Sequence, residues 1–565
     1  ILLKNLYGME IDPRAAALAA FALTMKARNY DQRFFRNGTI QPNIICLEKV
    51  FFDQQELSDY REAVGKDLYT DELEETLLSF ENIDSIGSLL TPALLTPEYF
   101  LRQLEKKDFQ NNWVLKITHE KVLSVLRQAC RLARKYHCVV ANPPYMGNKH
   151  MNDVLKEFAK KKYPDSKSDL FSMFIERNLE FSLSSGQTGF MSPFVWMFIS
   201  SYEKLRKFLI DKKMITSLIQ LEYSGFEGAT VPVCTFAVEN KRKTDYKGAY
   251  IRLSDFRGTK KQAPKALEAI KNPYCGWFYR VSASDFKKIP GSPIAYWLPE
   301  QIFKVFGHSD SIKKFARAAK GLVTANNEEF VRSWPEISAK SIGAGFKTRI
   351  EAQRSILKWF PYAKGGEFRK WYGNLEAVVN WENDGHEIQN ILTEDGSRVR
   401  ATNFNLDRIF HHGISWTVVT SGKQSFRLIP DGFLFDAAAG VCQTFSGDDT
   451  KLLGFLNSSL TNLLLAAVNP TLNLHPGYLE VLPFICKEIS PKTVAIVNDC
   501  VRLEASDWDS YETSWDFTTL PLLDPDYCHP RLEAIFQKLR THWQDMTLEM
   551  QSLEEENNRI FIEAY

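Results

Sequence analysis

Short apolar runs recur along the first part of the chain, each closed by a polar turn and followed by a helix-forming stretch. Leu6 to Ile11 predicts a strand, and Asp12-Pro13 then opens a helix dense in helix formers through Arg28. Asn43 to Glu48 predicts a second strand and Val139-Val140-Ala141 a third, buried one. Ser168 to Leu183 predicts a helix, Gly189 to Met191 a strand, and Ser200 to Arg206 the start of another helix. Ile215–Tyr223 and Val231–Val238 predict closing antiparallel strands around Ser224 to Thr230. This alternation implies an α/β fold with a parallel, doubly wound sheet. One interruption stands out. From Asp53 to Asp84 there are eleven Asp/Glu and two Lys/Arg with leucines at helical intervals, so residues 53–136 predict an acidic helical insertion that duplex DNA would avoid.

The alternation fades after residue 250. Residues 251–300, rich in Lys, Gly and Pro, predict a linker, 301–485 a second, mixed α/β domain, and 486–565 a helical spacer. Seventy basic and sixty-nine acidic residues leave no global basic field, so any nucleic-acid site must be local. Such a patch lies between Lys347 and Lys370, with seven Lys/Arg, two acids and interleaved aromatics. There Arg354, Lys358, Lys364, Arg369 and Lys370 are candidates for phosphate or groove contacts, and a surface loop with structural aromatics is the alternative. The nine cysteines form no CxxC pair and no cluster with histidine, which speaks against a metal site and a disulfide framework and predicts reduced thiols in a cytoplasmic protein. No apolar run reaches the roughly 18 residues that a membrane span needs. The chain starts at Ile1, without Met, and reads as a piece of something longer.

The sharpest chemical signal is Asn142-Pro143-Pro144-Tyr145, directly after the third strand. Ligands of open α/β sheets bind beyond the carboxyl ends of the strands. Two prolines stiffen the loop and remove its N–H donors, leaving carbonyls free to accept. An Asn side-chain oxygen, a fixed carbonyl and an aromatic face suit a planar amine, whose two protons they accept while the ring stacks on its flat body. Glu10, at the tip of the first strand, is placed to take the hydroxyls of a cofactor ribose, with a solvated turn as the alternative. Asp12 fits a helix cap as well as a ligand.

The tetrapeptide resembles the Asn/Asp-Pro-Pro-Tyr/Phe motif of the N6-adenine DNA methyltransferases, and Gly8-x-Glu10-x-Asp12-Pro13 resembles their ribose-binding pattern. Over most of the chain, through Asn5 to Ala27, Lys358 to Asn374, Val379 to Gly385 and Ser514 to Phe517, it is similar to the PglX-like methyltransferases of BREX phage-resistance systems. That resemblance implies a Rossmann-like class I methyltransferase sheet followed by a target-recognition domain, with S-adenosylmethionine as methyl donor and no metal. The partners it implies are double-stranded DNA and other defence-system proteins, with no membrane. It assigns Asn142, Pro143, Pro144 and Tyr145 to the acceptor site, and Glu10, Glu48, Asp169 and Phe171 to the cofactor. Phe226 becomes the second aromatic face for a flipped base, opposite Tyr145. An N-cap and a core helix explain Asp169 and Phe171 equally well. The family's Gly-rich first strand and turn find no counterpart before residue 5, so the 565 residues alone are expected to bind the cofactor poorly and to be catalytically silent. A non-catalytic DNA-recognition subunit, a glutamine side-chain methyltransferase and a fused restriction-modification enzyme are the rival readings, the last without a convincing PD-(D/E)xK nuclease segment in these residues.

Overall fold

The computed structural model describes residues 4–37, 40–109, 112–223, 225, 231–401, 405–469, 472–485 and 491–565. The chain divides into two compact units, Ile1–Ser284 and Asp285–Tyr565.

The first unit is mixed α/β. Strand β1 (Tyr7–Glu10) leads into α1 (Pro13–Tyr30), which is started by Pro13 and capped by the Asp12 side chain, and then into β2 (Asn43–Cys46). The helical segment that follows comprises α2 (Gln54–Val64), α3 (Asp71–Ser79), α4 (Ile83–Ile86), α5 (Pro97–Leu104) and α6 (Trp113–Ala133). After it come β3 (Tyr136–Ala141), α7 (Asp153–Lys162), α8 (Leu170–Phe181) and β4 (Ser182–Pro193). Then follow α9 (Glu203–Lys212), β5 (Met214–Gln220), β6 (Val233–Glu239), β7 (Lys247–Arg252), α10 (Thr259–Lys271) and β8 (Phe278–Ser282).

These strands make two sheets. β1 and β2 pair in parallel, and the other six run in the order β3-β4-β6-β5-β7-β8. β3 and β4 are parallel, as are β5 and β7, whereas β6 and β8 run antiparallel to their neighbours, so the sheet is mixed rather than all-parallel. The expected linker at 251–300 is corrected in its first part. Helix α10 buries Gln262 and Ala269, and β8 extends the sheet antiparallel to β7. Its Lys, Gly and Pro content hid a strand that Ile251, Leu253 and Trp277 help to pack. The third strand also departs from expectation. Val139 packs on the apolar core, but Val140 points to the other face of the sheet and is 78% exposed.

The helical segment is fastened to the sheet by one buried cation. Arg177 of α8 is 2% exposed and donates to the carbonyls of Ser88 (3.0 Å), Leu90 (2.7 Å) and Leu132 (2.9 Å). Its guanidinium lies 3.8 Å from the centroid of the Phe181 ring, and Glu180 pairs with it at 3.1 Å. Burial draws its pKa below the ordinary arginine value, with Tyr163 and Glu180 opposing the shift.

The second unit holds two four-stranded sheets. One, in the order β10-β12-β11-β15, is formed by Val331–Ser333, Ala377–Asn380, Trp359–Ala363 and Leu434–Phe435. The other, β14-β13-β16-β9, is formed by Phe426–Ile429, Gly413–Thr417, Ala439–Thr444 and Ala316–Ala319. Phe360, Trp381, Phe410, Leu434 and Val441 belong to its core. The segment expected as a spacer is part of this unit. Its helices, Pro491–Trp508 and Leu532–Ala564, are joined to the sheets by polar contacts as well as packing. Glu554 accepts from Lys370 Nζ (2.9 Å) and Trp371 Nε1 (2.8 Å), and Asn557 donates to the Gly454 carbonyl at 2.9 Å. In the connection between the helices, Trp515 stacks on Trp334 with 5.6 Å between centroids and 20° between planes, and Trp334 Nε1 donates to Thr513 O.

Replacing Arg177 by Met keeps the aliphatic bulk and strands three buried carbonyls. The expected cost is at least about 3 kcal/mol of unfolding free energy, read from the denaturant midpoint of the unit that contains it.

Candidate active site

The tips of β1 and β3 face a common groove of ≈ 660 Å³. Its walls run along Asn5–Ile11 and Tyr136–Pro144, with residues 85–88 and one face of α8 completing it. Among the described residues the one strand that pairs with β1 is β2 and the one that pairs with β3 is β4, so the strand edges bordering the groove carry no further strand there. A strand supplied there would satisfy both edges.

Glu10 stands at the end of β1 and lines the groove. Its Oε1 accepts from the N–H groups of Ile11 (2.8 Å) and Asp12 (3.1 Å), which orients the carboxylate at the strand tip. Asp12 acts as the cap of α1. It accepts from Arg14 N at 2.8 Å, and its pairing with the Arg14 side chain holds its carboxyl down at about 2.

Across the groove, Asn142, Pro143 and Pro144 form the lip beyond β3. Pro143 is buried, while Asn142 and Pro144 are exposed. Tyr145 is 41% exposed, and its hydroxyl sits 3.5 Å from Asn142 Oδ1. Its ring meets Phe171 edge-on at 6.3 Å, and Phe171 in turn contacts Tyr202 at 5.7 Å. Burial raises the pKa of the Tyr145 phenol above its ordinary value.

Asp169 and Phe171 have other tasks than the cofactor contacts expected of them. Asp169 caps α8, and its Oδ1 accepts from both Phe171 N (3.2 Å) and Met146 N (3.0 Å). Leu170 N donates to Met146 O at 3.0 Å, and Asn148 N to Ser168 O at 3.1 Å. The end of the proline loop is thereby zipped onto the start of α8. Phe171 is 1% exposed and backs Tyr145 instead of facing the groove. Desolvation pushes the Asp169 carboxyl above its usual range, and the backbone donors oppose that. Glu48 is exposed outside the groove lining, and its N–H donates to Gln128 Oε1 at 2.8 Å. Phe226 lies outside the described residues.

The groove face of α8 was missed from sequence. It consists of Leu170, Phe174, Asn178 and Phe181, spaced as one helical stripe. Asn178 is 4% exposed, and its Nδ2 has no hydrogen-bond partner among the described residues. A single amide on an otherwise apolar stripe was the available signal.

The five basic candidates do not form one free cationic face. Arg369 pairs with Glu504 (2.8 Å) and Asp507 (3.3 Å) and stacks over Trp508, and Lys370 pairs with Glu554. Both are tied to the C-terminal helices by these pairs, and Arg369 also lines the polar cleft beside Lys364. Lys358 stands 3.8 Å from Glu382, and Arg354 ends the Arg349–Arg354 helix. Lys364 borders a polar cleft of ≈ 1050 Å³ together with Gly365, Gly366, Arg332 and Asn374.

Residues 4–226 match the family model described as Eco57I restriction-modification methylase, which places the groove within a methylase region. The whole chain aligns with the adenine-specific methyltransferase PglX of Lacticaseibacillus casei (strain Zhang), 34% identical over 581 positions, covering 100% of this chain and 48% of that protein. It is also 34% identical over 557 residues to the adenine-specific methyltransferase BrxX of Escherichia coli O9:H4 (strain HS), covering 93% of this chain and 44% of the relative. The chain is similar to these two adenine-specific methyltransferases along nearly all of its own length and spans about half of theirs. A solved structure of the Type IIL restriction-modification enzyme MmeI in complex with DNA is similar over 90% of this chain and 73% of its own, with 10% identity and a TM-score of 0.46.

Asp169→Ala removes the acceptor shared by Met146 and Phe171. Methyl transfer by the full-length protein is expected to fall roughly 10- to 100-fold through a lower turnover number, because a loop displaced by about 1 Å costs that much. Asp169→Asn, which retains an acceptor oxygen, is expected to recover most of the rate. Steady-state kinetics on both variants check this.

Proposed function

We propose that this chain carries the acceptor site and target-reading part of an S-adenosylmethionine-dependent DNA adenine N6-methyltransferase that marks host DNA in a phage-defence system. The observation that carries the reading is the pairing, across one groove, of the Glu10 carboxylate with the stiff Asn142-Pro143-Pro144 lip. Asn142 Oδ1 and the Pro143 carbonyl accept the two N6 protons of an extruded adenine, and Tyr145 stacks on its face, offsetting part of the unstacking cost of a few kcal/mol. Holding both protons aims the nitrogen lone pair at the donor methyl and stabilises positive charge as it grows on N6.

The groove residues fit the nucleoside end of the cofactor. Glu10 would hold its ribose hydroxyls, with Leu170 and Phe174 offering apolar wall. S-adenosylmethionine, when bound, supplies an activated methyl group. The groove-side edges of β1 and β3 leave room for one further strand, and we assign the methionine end of the cofactor to the turn after that strand. Target selection falls to the second unit, where the Lys364-Gly365-Gly366 cleft offers amide, guanidinium and ammonium donors.

Base-resolved methylation mapping of DNA from cells carrying the full-length gene tests the reading. One adenine within a fixed sequence is expected to be modified, and Asn142→Ala should cut that transfer by about 10²- to 10³-fold. Methyl label appearing on protein rather than DNA would favour the glutamine-directed alternative. Residues 1–565 alone are expected to bind no measurable S-adenosylmethionine by calorimetry; methylation of duplex DNA by them would refute the assignment of the extra strand.

A further inference from the structure

The proline lip is followed by a lysine-rich stretch that the acceptor chemistry leaves unexplained. Between Met146 and Asp169 stand six lysines and His150 against three acids. Two of those acids are paired, Asp153 with Lys156 at 3.6 Å and Asp165 with Lys204 at 2.9 Å. Glu157 is the one acid of the stretch outside those pairs. Among the described residues the ammonium groups of Lys149, Lys160, Lys161, Lys162 and Lys167 make no ion pair or hydrogen bond.

Three of the five have a local account. Lys160, Lys161 and Lys162 form the last turn of α7, where positive charge complements the free carbonyls of a helix C-terminus. Lys149 and Lys167 have none. Lys149 sits on the single turn Asn148–His150 and Lys167 in the connection before α8, and both are exposed. Asn148 N donates to Ser168 O at 3.1 Å and Gly147 bridges Asp169, so the immediate neighbours of the two lysines are fastened together. Two like charges are thereby held on one small patch, where they repel each other unless an anion lies between them. Asp169, the nearest acid in sequence, is already engaged by the N–H groups of Met146 and Phe171.

The patch is close to the chemistry. Lys149 follows Tyr145 by four residues, a span of at most about 14 Å. A base turned out into the lip stays attached to its own backbone, so its phosphates must pass within a sugar's length of it. Contacts to them carry no sequence information, but they fix the register of the strand. We propose that Lys149 and Lys167 hold backbone phosphates beside the extruded adenine; this rests on the DNA-methyltransferase reading given above.

The test measures, by anisotropy, the dissociation constant of the full-length protein for a duplex carrying the sequence it methylates, between about 50 and 200 mM salt. Lys149→Gln and Lys167→Gln are each expected to lower the slope of log Kd against log salt by roughly 0.9, and the double substitution by about twice that. Lys149→Arg keeps the charge and is expected to keep the slope, as is Lys161→Gln in the last turn of α7. Slopes unmoved in both glutamine variants, weaker binding at an unaltered slope, or an equal fall with Lys161→Gln would each overturn the proposal. Failure of the unsubstituted protein to bind duplex DNA would remove it together with the reading it rests on, whereas DNA methylation with unmoved slopes removes this proposal alone.

Discussion

A buried guanidinium organises the first unit. Arg177 is almost wholly buried, and its charge is met there by the carbonyls of Ser88, Leu90 and Leu132, by Glu180 and by the face of Phe181. Those carbonyls come from the helical segment, whereas Arg177 belongs to the helix that forms a wall of the groove. The acidic helices are therefore more than a decoration between two strands. They bring residues 85–88 to the groove, and their position is fixed by the same residue that fixes α8.

A second, smaller constraint turns that fixed wall into a fixed acceptor. Asp169 begins α8 and at the same time holds Met146, so helix and proline loop move as one body. Phe171 supports the Tyr145 ring from behind. The geometry at Asn142 is thus set by prolines within the loop and by hydrogen bonds at its far end, leaving its lip exposed and its base rigid.

The strand tip at Glu10, the helix begun by Pro13 and the proline lip after β3 could all be read from sequence, because each depends on local chemistry within a few residues. What could not be read depends on distant partners. Arg369 looks like an unpaired cation until Glu504, 135 positions away, comes beside it, and Lys370 until Glu554 does so from 184 positions. Asp169 and Phe171 lay close to the right place with the wrong task, since α8 is apolar on several faces and periodicity does not say which of them meets the groove. Val140 shows the opposite limit. A β-branched run implies burial, yet one face of β3 is open.

The Trp334–Trp515 pair has an optical consequence. Two indoles 5.6 Å apart with planes 20° from parallel couple their transitions and give a paired circular-dichroism band that neither produces alone. Trp515 lies on the connection between the two C-terminal helices, whereas Trp334 directly follows the strand Val331–Ser333. That band belongs to the docked state of the connection, so the protein carries an intrinsic optical gauge of whether its C-terminal part is seated on the sheets.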